Sequence, residues 1–197
     1  MCSSDLNVLL KWLGELGADA PFRTAVAVSP PFDLAACADK LGRGASRLYQ
    51  RHLLRSMQAR FIAKFGAGAN PLGIADVRAL DTFWRYDDAV VAPLHGFRDV
   101  HDYYARASCR PWLARITVPT LILHAADETF VPRHAIPRAT ELAPSVTLEL
   151  AAHGGHVGFV GGALPGRARY WLEPRILAQL REQREADGWR QGEPGLQ

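Results

Sequence analysis

Apolar residues in the segment Asn7–Leu16 (NVLLKWLGEL) fall at 8, 9, 10, 12, 13 and 16. That spacing predicts a helix with one broad apolar face, and Gly17 follows as its C-cap. Thr24–Val28 (TAVAV) is a short β-branched run stopped by Ser29-Pro30-Pro31, which reads as a buried strand feeding a loop. Arg47–Phe65 is helical. Tyr49, Leu53, Met57, Phe61 and Phe65 recur every four residues with Leu54 and Ile62 beside them, and Arg47, Arg51, Arg55, Arg60 and Lys64 lie off that stripe. The Gly/Asn/Pro-rich stretch 66–73 is a loop. Ile74–Trp84 and Asp99–Ala107 read as further helices, and Pro111–Ile116 leads to the next strand.

Thr120–His124 and Val146–Leu150 are the second and third strands, and the chain between them predicts a helix over His134–Leu142, complicated by Pro137. Tyr170–Arg184 is a closing amphipathic helix, and residues 183–197 form a polar tail expected to be loose. Strands separated by helices imply a parallel sheet with right-handed crossovers, so the fold class is α/β. Three strands make a thin sheet of this kind.

Composition changes this picture little. At 197 residues the chain suffices for one sizeable domain, and 48% apolar with 22% charged residues is ordinary for a globular protein. A net charge of +3, with no basic run interleaved with aromatics, gives no reason to expect nucleic acid. Cys2, Cys37 and Cys109 are odd in number and scattered, which argues against a disulfide framework and fits a reducing, cytoplasmic setting; Cys37 and Cys109 read as small buried hydrophobes. The apolar runs fall far short of the roughly 20 residues of a membrane span, and no secretory leader is visible.

The chemistry concentrates between Thr120 and Phe159. TLILHAADETFVP is an apolar run ending in acids. VTLEL followed by AAHGGHVGF is a second run ending in a histidine. These two segments, together with DDAVVAPLHGFRDVHDYYARAS (87–108), AVAVSPPFDLAACADKL (25–41) and NVLLKWLGE (7–15), resemble the YheT-like branch of the α/β-fold hydrolases. The resemblance runs from Asn7 to about Arg181. It implies the C-terminal part of an α/β-hydrolase fold over 7–182: the helix after the nucleophile turn, the last three strands of the parallel sheet, and a helical lid insertion at about 35–110. It also implies a Ser–acid–His hydrolase of carboxylic esters, some of whose relatives act on acyl lipids. No cofactor, metal or obligate protein partner is implied; the expected partner is a small-molecule or lipid ester.

On that resemblance His156 is the triad histidine, delivered from a loop after a strand, with Gly154 and Gly155 supplying backbone freedom. His153 and His156 without a third convergent ligand are a weak zinc signal. The acid is open between two neighbours. Glu128-Thr129-Phe130-Val131-Pro132 fits the acid-x-x-apolar-Pro register, whereas Asp127 has the residue type more usual in the family. The loser of the two reads as a loop-capping or solvated carboxylate. The nucleophile is a problem, because no G-x-S-x-G is present anywhere in the chain. Counting back from Asn7 puts Ser3 in the nucleophile's place, with Met1, Asp5 and Leu6 where the family has glycines. The expectation is that residues 1–6 are not native and that the chain as given is inactive or nearly so. Arg47–Phe65 carries two compatible readings: a lid helix, or a peripheral contact with an anionic membrane surface. The rival to the enzyme reading is a non-catalytic module of hydrolase descent that binds a partner or lipid.

Overall fold

A computed structural model describes residues 4–66, 70–161, 169–186 and 188. Ser3, the counted nucleophile position, and the tail from 189 lie outside the described residues. The chain divides into two units. A sheet unit comprises Met1–Pro30, Pro111–Glu128 and Arg138–Gln197, and a helical unit comprises Pro31–Arg110 and Thr129–Pro137.

In the sheet unit, α1 (Ser4–Leu16) precedes β1 (Ala25–Val28), β2 (Thr120–Ala125) and β3 (Val146–Ala151). The three strands form one parallel sheet in the order β1-β2-β3, with Ala25 opposite Thr120 and Ala125 opposite Ala151. Every residue of β2 is buried, as its unbroken TLILHA run requires of a central parallel strand. Helix α1 packs on β1 and comes so close to the 110–115 turn that a Cβ on Gly14 would lie 2.5 Å from the Trp112 carbonyl oxygen. Gly17, at φ +53, ends the helix where a C-cap glycine was expected.

Beyond β3 two features were not anticipated. Val160–Gly161 (β4) pairs antiparallel with Arg169–Tyr170 (β5), just before the closing helix α7 (Leu172–Ala186). Arg175 on α7 grips Glu149 of β3 through a fork, Nε donating to both carboxylate oxygens at 3.0 Å. The helix expected over 134–142 does not form. Two single 3-10 turns, Arg133–Ala135 and Ala139–Glu141, stand in its place, because Pro137 forces Ile136 into an extended conformation at ψ 127.

The helical unit contains α2 (Leu34–Leu41), α3 (Ser46–Phe65), α4 (Phe83–Tyr86), a π-turn at Asp87–Val91 running on through α5 (Ala92–Leu94), and α6 (Val100–Ala107). Helix α6 was expected, with its Asp99 cap accepting from the Asp102 N–H at 2.8 Å. The helix expected at 74–84 is instead a 3-10 turn at Val77–Ala79 followed by α4, because the Asp76 and Thr82 side chains each cap a new start. The buried face of α3 is also rotated from the expected Tyr49/Leu53/Met57 stripe: Gln50, Leu54, Gln58 and Phe61 point inward. The glutamines serve the 80–83 segment. Gln50 Oε1 accepts from the Phe83 N–H at 3.3 Å, and Gln58 Nε2 donates to the Leu80 carbonyl at 3.1 Å. Tyr49 lies outside this core, stacked on Phe130 with ring centroids 4.3 Å apart. Cys37 and Cys109 are buried, as expected.

Candidate active site

The site belongs to the sheet unit and follows from register. Adjacent parallel strands run the same way, so the loops leaving β2 and β3 emerge at one rim of the sheet. Ala125 and Ala151 are opposite one another, and the Ala126 N–H donates to the Ala151 carbonyl at 2.8 Å, tying the two exits together. After β2 the chain turns at once, the Glu128 N–H donating to the Ala125 carbonyl at 3.2 Å, so Asp127 and Glu128 are presented at that rim. After β3, HGGH (153–156) crosses the same edge.

The two acids take different partners. Glu128 accepts from His156 Nδ1 at 2.9 Å, with the carboxylate side chain 0% exposed and the imidazole 22% exposed. A carboxylate can only accept, so the imidazole proton sits on Nδ1, and Nε2 is the nitrogen for proton transfer. Asp127 Oδ1 accepts from the N–H groups of Gly154 and Gly155, each at 2.9 Å, and its Oδ2 lies 3.5 Å from His153 Nδ1. The Gly155 N–H foremost, with Gly154 and His153 adding to it, holds the Asp127 carboxyl below the usual range. The geometry thus brings both candidate acids to the loop of His156 and gives the imidazole to Glu128.

The two glycines act differently. Gly155 adopts φ +56, where a side chain is disfavoured. Gly154 is required by close approach: a Cβ there would fall 2.9 Å from the Phe159 ring and 3.0 Å from the Ala125 Cβ. The loop closes on itself through the Gly158 and Phe159 N–H groups, which donate to the Gly154 carbonyl at 3.1 and 3.0 Å.

His124 was not singled out in the sequence. It is wholly buried on β2, four residues before Glu128, and burial pushes its imidazole down to about 4, against the pull of the Glu128 carboxylate. It is therefore a neutral neighbour of the pair. Its sequence signal was present but unread: a polar residue at an inward position of a fully apolar strand. Among the described residues, no cluster of histidine, cysteine or acidic side chains is arranged to hold a metal.

A family described as alpha/beta hydrolase fold matches residues 76–163, which include both acids and the HGGH loop. The chain is 42% identical over 172 residues, 86% of its length, to YheT of Escherichia coli (strain K12). The chain belongs to the YheT-like α/β-fold hydrolases. It is also 31% identical over 165 residues to phospholipase ABHD3 of Mus musculus, covering 83% of the chain. To monoacylglycerol lipase ABHD2 of Danio rerio it is 32% identical over 121 residues, 58% of the chain. It spans 50%, 40% and 29% of the lengths of these three relatives. The three-stranded parallel sheet with its flanking helices is accordingly a partial α/β-hydrolase fold.

Proposed function

We propose that this chain carries the acid and histidine of a Ser–acid–His hydrolase of carboxylic esters, with acyl lipids among its substrates. The observation that supports this most directly is the 2.9 Å His156 Nδ1···Glu128 contact at the rim of a parallel sheet. In the reaction, His156 Nε2 takes the proton of the attacking serine hydroxyl, and Glu128 stabilises the resulting imidazolium. The tetrahedral adduct then collapses, His156 hands the proton to the departing alcohol, and water repeats the cycle on the acyl-enzyme. Glu128 takes the acid's role in this reading and Asp127 does not. Ser3 is the hydroxyl that counting assigns to the attack. The 35–110 insertion is read as lid-type, and three scattered cysteines that make no disulfide framework favour a cytoplasmic setting.

Turnover of p-nitrophenyl butyrate by the chain, His156→Ala and Ser3→Ala tests the proposal. For lack of a G-x-S-x-G turn the chain itself is expected to turn over weakly or not at all; any rate above buffer is expected to vanish on His156→Ala, with Ser3→Ala deciding which hydroxyl attacks. Equal rates above buffer in all three would overturn it.

One observation favours the non-catalytic rival. Helix α3 has no acidic residue, and Arg47, Arg51, Arg55, Arg60 and Lys64 are all exposed beside Leu48, which is 70% exposed. On this reading the helix meets an anionic lipid surface. Among the described residues no helix is long and apolar enough to cross a membrane. Co-sedimentation with phosphatidylserine vesicles, lost on Arg51→Glu/Arg55→Glu, would support it; equal pelleting with neutral vesicles would refute it.

A further inference from the structure

The HGGH segment is held residue by residue. His153 lies 3.5 Å from Asp127 Oδ2, the Gly154 and Gly155 N–H groups both donate to Asp127 Oδ1 at 2.9 Å, and His156 donates to Glu128 at 2.9 Å. Four consecutive residues are thus bound by two consecutive carboxylates. We infer that Asp127 is a positioning residue: its carboxylate fixes the backbone of the 153–155 loop so that the His156 imidazole arrives within bonding distance of Glu128. The inference deepens the hydrolase reading and rests on it for its functional meaning.

Three features argue that the loop needs such a clamp. Both central residues are glycines, which lose more conformational freedom on ordering than any other residue. One of them, Gly155, must be held at φ +56. The acceptor of both N–H groups is a carboxylate oxygen, so at 2.9 Å these are charge-assisted bonds, though Asp127 is exposed to solvent. The same loop also packs against the end of β2: Gly154 leaves no room for a Cβ beside Phe159 and Ala125. Releasing the two N–H groups would let the loop lift from this seat and carry the imidazole away from a carboxylate that cannot follow, because Glu128 is wholly buried.

Adjacency explains why two acids occur together here. The turn after Ala125 sends the side chains of 127 and 128 in different directions. One aims at the backbone of the incoming loop and the other at the ring it carries. Asp127 takes both glycine N–H groups on Oδ1 and holds Oδ2 3.5 Å from His153 Nδ1, while Glu128 takes the His156 ring.

The test needs no turnover. In the ¹⁵N-labelled chain, the amide exchange rates of Gly154 and Gly155 and the low-field Nδ1 proton of His156 are measured for the parent, Asp127→Ala and Asp127→Asn. The expected result for Asp127→Ala is exchange at both glycines faster by roughly tenfold or more and loss of the His156 Nδ1 signal. Asp127→Asn, whose amide oxygen still accepts, restores both. A His156 signal unchanged in Asp127→Ala overturns the inference, whether or not exchange quickens; where it does quicken, Asp127 is a loop cap only. Where ester turnover is present, the fall in Asp127→Ala is in kcat, on the order of 10²-fold, with KM held. A chain that hydrolyses no ester yet loses the His156 signal in Asp127→Ala retains the clamp and loses the hydrolase reading, so the two fail separately.

Discussion

Among the described residues two carboxylates are buried, one in each unit, and they are opposites in every other respect. Glu128 meets an imidazole carried on a glycine loop at 2.9 Å. Asp87 meets a phenol carried on a helix, accepting from the Tyr104 hydroxyl at 2.6 Å. A phenol cannot become a cation, so the Asp87–Tyr104 pair has no counter-charge. Burial pushes the Asp87 carboxyl up to about 6 despite the hydrogen bond, and the same burial, with Asp87 alongside, pushes Tyr104 far up. An imidazole can become cationic, so the Glu128–His156 pair holds a proton it can exchange with a third group. The helix-borne partner suits a structural bond. The loop-borne one suits chemistry, and it requires extra bonds to keep it in place.

The contrast breaks most severely at Glu128. Glu128→Gln keeps the size and removes the charge that stabilises the imidazolium; whatever ester turnover the chain shows above buffer is expected to be lost, while Asp87→Asn leaves it near that of the parent. Assays of both variants on one ester check this.

Asp87 has the next largest effect, on stability. Its folded pKa is raised, so its contribution is fully present below the unfolded value of about 3.9 and is lost as pH rises through about 6. Denaturant melts of the parent are expected to lose on the order of 3 kcal/mol between pH 4 and pH 7 from this group. Asp87→Asn should flatten that slope. A slope of the same size in the variant would show that another group carries it.

Tyr104→Phe sharpens the same side of the comparison. It leaves a buried carboxyl without its donor, and the expected loss at pH 7 is about 2 kcal/mol by urea denaturation. The smallest effect is on the loop side: Gly154→Ala must displace the Phe159 ring, costing about 1 kcal/mol. It should also weaken the His156 Nδ1 signal in proportion to how far the loop rises.

The readable parts of this molecule were those where one local pattern decides. The largely apolar TLILHA run marked a buried strand, and the segment after it narrowed the acid to Asp127 or Glu128 without choosing between them; the contact of Glu128 with His156 came from the fold. What stayed hidden depended on partners distant in the chain. Gln50 and Gln58 look like surface residues until the backbone groups of 80–83 are brought to them. Asp87 looks like the solvated half of an Asp-Asp pair, and only the fold buries it against Tyr104, 17 positions later. At Pro137 one ring is enough to replace a helix with two single turns. Leu34–Leu41 carried a start signal, the Asp33 cap that accepts from the Ala36 N–H at 3.0 Å, but it lies directly after the Ser29-Pro30-Pro31 stop, which reads as loop.

The sequestered thiols have a practical consequence. Cys37 and Cys109 both belong to the helical unit, and Cys109 has no exposed surface, with burial disfavouring its thiolate strongly. An alkylating reagent such as iodoacetamide can modify them only when that unit opens. Mass-resolved labelling at these two positions therefore serves as a clock for breathing of the helices alone, read peptide by peptide, while the strands and their rim stay silent.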